Sequence, residues 1–380
     1  MPSYKHNSLL ETPDNIQIDP TVASRLQITK PKQILEILND NVIGQEEAKK
    51  VLAVAIYNHM KRIIMNTYDN SKSDVTVEKS NILLLGNSGT GKTHMIKTIA
   101  KHLEIPCYIA DATKLTESGY VGEDVENILT GLLIESNYDL QKAQRGIVCI
   151  DEIDKIAKRG ANMSLTRDVG GEGVQQGLLK IVEGSVVGVP PMGGRKHPEQ
   201  KLIYVDTTNI LFIGMGAFSG IEDIISSRMD QKTIGFNSFA RENDNDGSLI
   251  SHVNQDDLRQ FGLIPELIGR FPIITHTEKL EVDDIVRILT EPKNAIVKQY
   301  QKLLSYDCSG LEFTEDALKS IASLAYKTNT GARALRSIME RMLVDIMYDC
   351  TLTESGKIVV DGKFVDNVFK KHKSLKTKAA

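Results

Sequence analysis

The run Gly86-Asn-Ser-Gly-Thr-Gly-Lys-Thr93 constrains this chain more than any other feature, because it fits the pattern G-x-x-x-x-G-K-[ST]. Four apolar residues, Ile82–Leu85, precede it, and the apolar side chains of residues 96–103 follow at helical spacing. A strand, a glycine-rich turn and a helix in this order direct backbone N–H groups at one point. The run therefore predicts a loop that binds nucleoside phosphates, with Lys92 supplying charge and Thr93 a ligand for Mg²⁺.

Two carboxylates follow another apolar run. Asp151 and Glu152 come directly after Ile147–Ile150. Because parallel strands end at the same edge of a sheet, we expect Asp151 to hold Mg²⁺ and Glu152 to activate the attacking water. The alternative is that Asp151, Glu152 and Asp154 merely cap a helix that begins at Lys155, since acidic residues are favoured near a helix start.

Short apolar runs recur along the chain, separated by segments of helix length. They are Ile82–Leu85, Cys107–Ala110, Ile147–Ile150 and Ile210–Ile213. Such runs are typical of buried parallel strands and predict an α/β fold class, with a parallel sheet flanked by helices. Beyond about residue 275 the apolar spacing becomes helical, which predicts a second, smaller and mainly α domain.

These patterns also predict where the domains begin and end. We expect a flexible leader at 1–30, a large α/β domain at 31–274, a small mainly α domain at 275–368 and a basic tail at 369–380. The glycine-rich and proline-rich residues 160–200, and the mostly polar residues 226–248, are expected to form long surface loops.

Composition excludes several classes of protein. The 46 basic and 50 acidic residues give a net charge of −4, which argues against a polybasic nucleic-acid binder. The four cysteines are far apart and form no C-x-x-C pair, so we expect reduced thiols rather than a zinc site or disulfides. No stretch approaches the ~18 consecutive apolar residues of a membrane span, so we expect no membrane partner and a cytosol-like compartment.

An ordered set of motifs between residues 31 and 365 resembles the AAA+ ATPases and, more closely, the ClpX family of unfoldases. The motifs are the phosphate loop at 86–93, Val42-Ile-Gly-Gln45, Gly119-Tyr-Val-Gly122, Cys149-Ile-Asp-Glu-Ile-Asp-Lys155, Thr166-Arg-Asp168, Gly171-Glu-Gly-Val-Gln-Gln176, Gly194-Arg-Lys-His-Pro198, Gly262-Leu-Ile-Pro-Glu-Leu-Ile-Gly-Arg270 and Gly331-Ala-Arg333. The resemblance implies a cytoplasmic ATPase, or one in an organelle matrix of bacterial descent.

The same resemblance implies roles at an ATP site. Val42 and Ile43 would lie beside the adenine, and Arg333 would be a second sensor contributed by the small domain. The phosphates would be held by Gly86, Asn87, Ser88, Gly89, Thr90, Gly91, Lys92, Thr93 and His94. An alternative for Arg333 is a salt bridge on a helix face.

Arg270 resembles an arginine finger that acts on the ATP of a neighbouring subunit. Such an action requires a closed head-to-tail ring, which in this family is a homohexamer. The alternative is a surface arginine near a helix end. A polar first sensor is expected at the end of the fourth strand, but this region reads Ile213-Gly-Met-Gly216. Thr208 and Asn209 are the nearby polar residues, and the role stays unassigned.

Three further segments resemble parts that contact other polypeptides. Tyr120 and Val121, between two glycines, resemble a pore loop that grips chains of any sequence by packing. The alternative is an ordinary turn. The basic run Arg195, Lys196 and His197 would place positive charge at a ring entrance, and its alternative is a solvated loop.

The third segment is the apolar tripeptide Ile234, Gly235 and Phe236, which stands in a polar stretch. It resembles the tripeptide that ClpX-family chains use to bind the ClpP peptidase ring. The alternative is that the loop folds this tripeptide onto its own core.

Together the motifs imply an ATP-dependent unfoldase that threads polypeptide substrates into a ClpP-like peptidase ring. A protein remodeller that works without a protease is the alternative, and a DNA-acting AAA+ motor is disfavoured by the net charge. Family members usually begin with a four-cysteine zinc domain, whereas residues 1–40 contain no cysteine. Either that domain has been removed or the lineage lacks it, so zinc and adaptor binding are not expected.

Overall fold

The structure, a computed structural model, describes residues 29–68, 77–116, 123–158, 171–191, 201–233, 249–306, 310–328, 330–350 and 358–376. The chain forms two compact units. The first contains the described residues of Met1–Leu35, Glu47–Leu85 and Ile99–His276. The second contains the described residues of Glu36–Glu46, Gly86–Thr98 and Thr277–Ala380. The domain limits predicted from the sequence stay a proposal.

The described residues form helices and strands that we number in chain order. The α-helices are α1 (Pro31–Asn39), α2 (Glu46–Tyr68), α3 (Lys92–His102), α4 (Asn127–Glu135), α5 (Leu140–Ala143), α6 (Glu172–Glu183), α7 (Ile221–Thr233), α8 (Gln255–Phe261), α9 (Pro265–Gly269), α10 (Val282–Thr290), α11 (Ile296–Leu304), α12 (Glu315–Lys327), α13 (Arg333–Cys350) and α14 (Gly362–Lys376). The strands are β1 (Ile82–Leu85), β2 (Cys107–Asp111), β3 (Leu115–Thr116), β4 (Glu123–Asp124), β5 (Ile147–Asp151), β6 (Val186–Val189), β7 (Ile203–Asp206), β8 (Leu211–Gly216), β9 (Ile273–His276), β10 (Leu311–Phe313) and β11 (Ile358–Val360).

The first unit is organised around a parallel sheet of order β2-β5-β8-β1-β9. Each residue of β1 is buried, as expected for a central strand covered on both faces. The predicted α/β class with a parallel sheet is therefore confirmed. The fifth strand, β9, was not predicted, because its sequence Ile-Ile-Thr-His is short and half polar. It joins the sheet by pairing with β1, with Ile273 beside Ile82 and His276 beside Leu85.

The prediction of a long loop over residues 160–200 was wrong for a large part of that segment. Helix α6 occupies Glu172–Glu183, and β6 pairs with β7 in an antiparallel hairpin. The apolar residues Val174, Leu178 and Ile181 fall on one face of α6 and are buried. Gly173 and Gly177 lie inside this helix, where glycine is unfavourable by about 1 kcal/mol relative to alanine, and burial of the apolar face outweighs that cost. Helix α7 likewise extends to Thr233, into the second predicted loop.

The second unit is mainly helical, as predicted for the C-terminal residues. Apolar faces of α10, α12 and α13 form its core, in which Ile285, Ile321 and Met339 are fully buried. A two-stranded parallel sheet, β10 with β11, completes it. Helix α14 runs to Lys376, so much of the predicted basic tail is helical. Lysine is a good helix former, and Val365 anchors this helix in the core. No helix of the described residues is long and apolar enough to cross a membrane.

Candidate nucleotide site

The phosphate loop joins β1 to α3. Gly86 and Gly89 have φ angles of 139° and 81°, which lie in the region that favours glycine. A Cβ atom at Gly86 would collide with Thr277 Oγ1, and one at Gly89 would collide with the carbonyl oxygen of Thr330. Glycine is therefore required at both positions, for backbone conformation and for close packing. The close packing brings Thr277 and Thr330, far away in sequence, against the loop.

Lys92 is the first residue of α3 and is 8% exposed. Its Nζ atom donates to the carbonyl oxygens of Gly86 and Asn87, the latter at 2.8 Å. The ammonium group is therefore held inside the loop, next to the first N–H groups of α3. A helix start and a buried ammonium together favour an anionic ligand.

Sequence reasoning missed Thr277, which lies directly after β9. Its Oγ1 atom is 2.7 Å from Thr90 Oγ1, and the Thr90 hydroxyl also donates to the Asn87 carbonyl oxygen at 2.9 Å. Thr277 thereby helps to hold the phosphate loop in its conformation. The one available signal was the polar run Thr275-His-Thr277 in a segment otherwise typical of a strand.

The start of α13 also contacts the loop. The Ala332 N–H donates to the Gly89 carbonyl oxygen at 3.2 Å, and Arg333 Nη1 donates to Ser88 Oγ at 3.1 Å. Arg333, predicted as a sensor of the small domain, therefore lies beside the phosphate loop. Its hydrogen bond goes to a loop hydroxyl, which differs from the alternative of a salt bridge along a helix face.

The segment containing Val42 and Ile43 lies on another side of the loop. Both side chains are 6% exposed, and a Cβ atom at Gly91 would be 3.8 Å from Val42 Cγ1. Gln45 holds the segment in place: its Nε2 atom donates to the Glu278 carbonyl oxygen at 3.0 Å, and the Glu278 N–H donates to Gln45 Oε1 at 2.7 Å. An apolar surface beside the phosphate loop suits a planar base.

The two predicted carboxylates belong to the first unit. Asp151 is the last residue of β5, and its Oδ1 atom accepts the Glu152 N–H at 3.0 Å. Glu152 is exposed and has φ 57° and ψ 32°, a left-handed conformation that is uncommon outside glycine. Its side chain makes no cap hydrogen bond to the 3₁₀ turn Ile153–Ile156 that follows. Glu152 thus occupies the N-cap position of this turn without a side-chain cap, and its chemical role stays a prediction.

The end of β8, where a first sensor was sought, is contacted by Asp154. Its Oδ1 atom accepts the Ala217 N–H at 3.2 Å, and a Cβ atom at Gly216 would lie 2.6 Å from the same oxygen. Thr208 and Asn209 precede β8, at the edge where the parallel strands begin. They are therefore at the wrong end of the strand for a first sensor.

Arg270 caps the C-terminus of α9, at the edge of the sheet where β1 and β9 begin. Its Nε and Nη2 atoms donate to Glu183 Oε1, the last residue of α6, at 3.1 and 2.7 Å. Its carbonyl oxygen accepts Asn81 Nδ2 at 2.8 Å, and Asn81 Oδ1 accepts the Phe212 N–H at 3.1 Å. Hydrogen bonds therefore fix both the guanidinium and the main chain of Arg270.

Two more cations lie at this edge. Lys79 Nζ donates to the Thr207 carbonyl oxygen at 3.0 Å and lies 4.8 Å from the centre of the Phe212 ring. Arg62 Nη2 donates to the Thr208 carbonyl oxygen at 3.3 Å. Burial, together with smaller effects of the charges of Arg62 and Arg270, lowers the pKa of Lys79 to about 7, against an opposing effect of Asp206. The edge that carries Arg270 is thus rich in positive groups.

Several predicted residues lie outside the described ranges. They are Tyr120, Val121, Arg195, Lys196, His197, Ile234, Gly235 and Phe236. The structure brings together Val42, the phosphate loop and Arg333 in the second unit, whereas Asp151, Glu152 and Arg270 belong to the first.

Comparison with known proteins identifies the class. Residues 77–274 match the family described as the AAA domain of the Cdc48 subfamily, and residues 280–365 match the C-terminal, D2-small domain of ClpB protein. With the parallel sheet and the phosphate loop, these matches define an AAA-type ATPase that binds nucleotide and is not itself a peptidase.

Whole-length relatives narrow the class to one family. The "ATP-dependent Clp protease ATP-binding subunit ClpX" of Treponema denticola is 50% identical over 349 residues, which cover 91% of this chain and 83% of the relative. The protein of the same name from Porphyromonas gingivalis is 49% identical over 343 residues, covering 90% and 83%. The chain belongs to the ClpX family.

Proposed function

We propose that this chain is an ATP-dependent protein unfoldase and translocase that works as a homohexameric ring and threads substrates into a ClpP-like peptidase ring. The observation that carries the proposal is the contact of Ser88 and Gly89 with Arg333 and Ala332. A ligand that moves the phosphate loop would also move the start of α13, so that nucleotide binding can be converted into movement of the helical residues.

The residues of the phosphate loop fit a nucleoside triphosphate. Lys92 and the N–H groups from Gly86 to His94 would bind the phosphates, and Val42 and Ile43 would pack on the adenine. The hydroxyl of Thr93 and the carboxylate of Asp151 are hard oxygen donors of the kind Mg²⁺ prefers. When bound, Mg²⁺ neutralises charge on the phosphates. Glu152 would orient the attacking water and accept its proton.

Arg270 would act on the nucleotide of a neighbouring protomer. It lies where β1 begins, whereas the protomer's own phosphate loop follows the other end of β1. A guanidinium at this edge suits a ligand presented by another copy of the chain, and a finger of this kind is commonly worth about 10³ to 10⁵ in rate. The proposal therefore includes a closed ring of identical subunits.

Substrates and partner would be bound by the segments outside the described ranges. Tyr120 and Val121 would grip the threaded polypeptide, while Arg195, Lys196 and His197 would attract its carboxylates. Ile234, Gly235 and Phe236 would dock on the peptidase ring. These assignments rest on the family resemblance and on the chemistry of the side chains.

Degradation of a stable fluorescent protein tests the proposal. The chain, a ClpP-type peptidase and ATP should together remove the fluorescence, and ATP with the chain alone should unfold the substrate without cleaving it. Tyr120→Ala should unfold poorly while still hydrolysing ATP. Tyr306→Ala, which truncates a tyrosine that is 81% exposed in the second unit, is the matched control. Hydrolysis without any unfolding would reject the unfoldase, and unfolding without degradation would favour a protease-independent remodeller.

A further inference from the structure

Glu183 holds the guanidinium of Arg270 in one orientation. Both contacts, from Nε and Nη2, go to the single oxygen Oε1 of Glu183. A guanidinium is planar and presents its N–H groups in a fixed fork. Because Glu183 engages the edge formed by Nε and Nη2, the edge formed by Nη1 and Nη2 is directed away from it.

The stability of the fold does not explain this ion pair. The side chains of Arg270 and Glu183 are 50% and 44% exposed, and exposed pairs of this kind add little to the stability of a fold. Glu183 is also the last residue of α6, where the helix dipole disfavours a negative charge by a similar amount. The two contributions nearly cancel, so the pair adds little to folding.

The backbone of Arg270 is held independently of its side chain. Asn81, which is 2% exposed, bonds to the Arg270 carbonyl oxygen and to the N–H of Phe212 at the start of β8. Since the main chain is anchored by a buried amide, the carboxylate of Glu183 sets only the direction of the side chain. A group that acts on a separate molecule depends on a fixed direction of its side chain.

We propose that Glu183 is a positioning residue for Arg270: its carboxylate turns the free edge of the guanidinium toward the phosphates of ATP bound to the neighbouring protomer. This inference rests on the proposed role of Arg270 in trans. Loss of Glu183 leaves the finger present but undirected, so the maximal rate of hydrolysis falls while the affinity for ATP is retained.

Mixed rings test the inference across subunits. Arg270→Ala protomers have an intact hydrolytic site but no finger, and Glu152→Gln protomers have a finger but hydrolyse poorly. Mixing the two should restore ATP hydrolysis. In this mixture the Glu152→Gln protomers are the donors of the finger. The mixture is then repeated with donors that carry Glu152→Gln together with Glu183→Ala or Glu183→Gln. We expect about tenfold less recovery with Glu183→Ala and an intermediate loss with Glu183→Gln, because a misdirected group can lower a rate by up to about 10².

A matched donor separates orientation from the loss of a surface ion pair. Glu291 accepts Arg287 Nε at 3.0 Å, and these side chains are 49% and 51% exposed, close to the values for Glu183 and Arg270. Donors with Glu152→Gln and Glu291→Ala should restore hydrolysis fully. In uniform rings, Glu183→Ala should lower kcat and leave KM unchanged.

Each outcome decides the question. The reference donor carries Glu152→Gln alone. If donors with the added Glu183→Ala change restore ATP hydrolysis as well as the reference donor does, the proposal is overturned. If Glu183→Ala donors do not enter rings, as judged by particle mass with ATP, the Glu183→Gln donor decides, and full recovery with it would also overturn the proposal. If the reference mixture itself stays inactive, the action of Arg270 in trans is wrong, and the inference is rejected with it.

Discussion

Glu152 combines an uncommon backbone conformation with an exposed carboxylate. A non-glycine residue at φ 57° is strained, and such strain is often found at functional positions. The Glu152 side chain is exposed and makes no cap hydrogen bond to the turn that follows. This conformation supports a chemical role for the carboxylate better than a structural one.

Replacement of Glu152 by glutamine tests that role. The amide keeps the shape of the side chain but cannot accept a proton, so we expect ATP hydrolysis to fall by about 10² or more while ATP affinity is preserved. Steady-state ATPase rates and calorimetric binding measure the two effects. Glu135→Gln, at the exposed end of α4, is the control. Unchanged hydrolysis would remove Glu152 from the reaction.

His59 makes the stability of the chain depend on pH. It is 5% exposed in α2, and burial, aided by the charge of Arg62, lowers its pKa to about 3. In the unfolded chain the imidazole becomes protonated below about pH 6.5, whereas the folded chain keeps it neutral. The free energy of unfolding therefore falls as the pH drops from 6.5 toward 3.

Replacing His59 by leucine should flatten this dependence. In the wild-type chain His59 should contribute a slope of up to about 1.4 kcal/mol per pH unit below pH 6.5. Urea unfolding between pH 8 and pH 5 measures it. His102→Leu, at an exposed position, should leave the slope as it is. An identical slope in the His59→Leu chain would assign the acid sensitivity to other groups.

The hydroxyls of Thr90 and Thr277 connect the phosphate loop to the segment that follows β9. Because Thr277 packs directly against the loop, the contact limits how far the loop can move. Its contribution depends on both hydroxyls, so removal of the Thr277 hydroxyl should cost nothing further once the Thr90 hydroxyl, which also donates to Asn87, is gone.

We therefore expect Thr277→Val to weaken ATP binding about fivefold, equivalent to about 1 kcal/mol. Thr90→Val and the double variant should weaken it by a larger amount that is equal in the two, because Thr90→Val also removes the bond to Asn87. Calorimetric measurement of ATP binding to the wild-type chain and the three variants completes the double-mutant cycle. Thr275→Val is the control: Thr275 is 3% exposed in β9, two residues before Thr277, and its hydroxyl has no hydrogen-bond partner among the described residues. Additive losses would mean that the two hydroxyls act separately.

The proposed assembly depends on surfaces that join this chain to other proteins. The tripeptide Ile234–Phe236 is the candidate for the peptidase contact, and it is separate in sequence from every residue proposed to bind ATP. Hydrolysis and coupling to the peptidase should therefore be separable by a change confined to this tripeptide.

Deletion of Ile234–Phe236 should abolish degradation with the peptidase and leave ATP hydrolysis and unfolding intact, because apolar anchors dominate such docking contacts. Deletion of the polar residues 243–245, in the same segment, is the control and should preserve degradation. Parallel measurements of ATPase, unfolding and degradation distinguish the effects. Persistent degradation after the first deletion would reject this contact.

Patterns within short stretches were enough to predict the phosphate loop, four of the sheet strands and the helical character of the C-terminal residues. Each of these depends on neighbours along the chain: glycines that allow a turn, apolar runs that are buried on both faces, and apolar side chains at helical spacing. Helix α6 was not predicted although its apolar spacing is regular, because it contains Gly173 and Gly177, and glycine is typical of loops.

Thr277, Glu183 and Asn81 could not be found in this way. Their importance comes from hydrogen bonds to Thr90 and Arg270. These partners are 187, 87 and 189 positions away along the chain, respectively. A periodic pattern reports which face of a helix or strand is buried, and it carries no information about which distant polar groups meet. Those pairings follow from the order of the strands in the sheet and the packing of its connections, so they became visible only once the chain was folded.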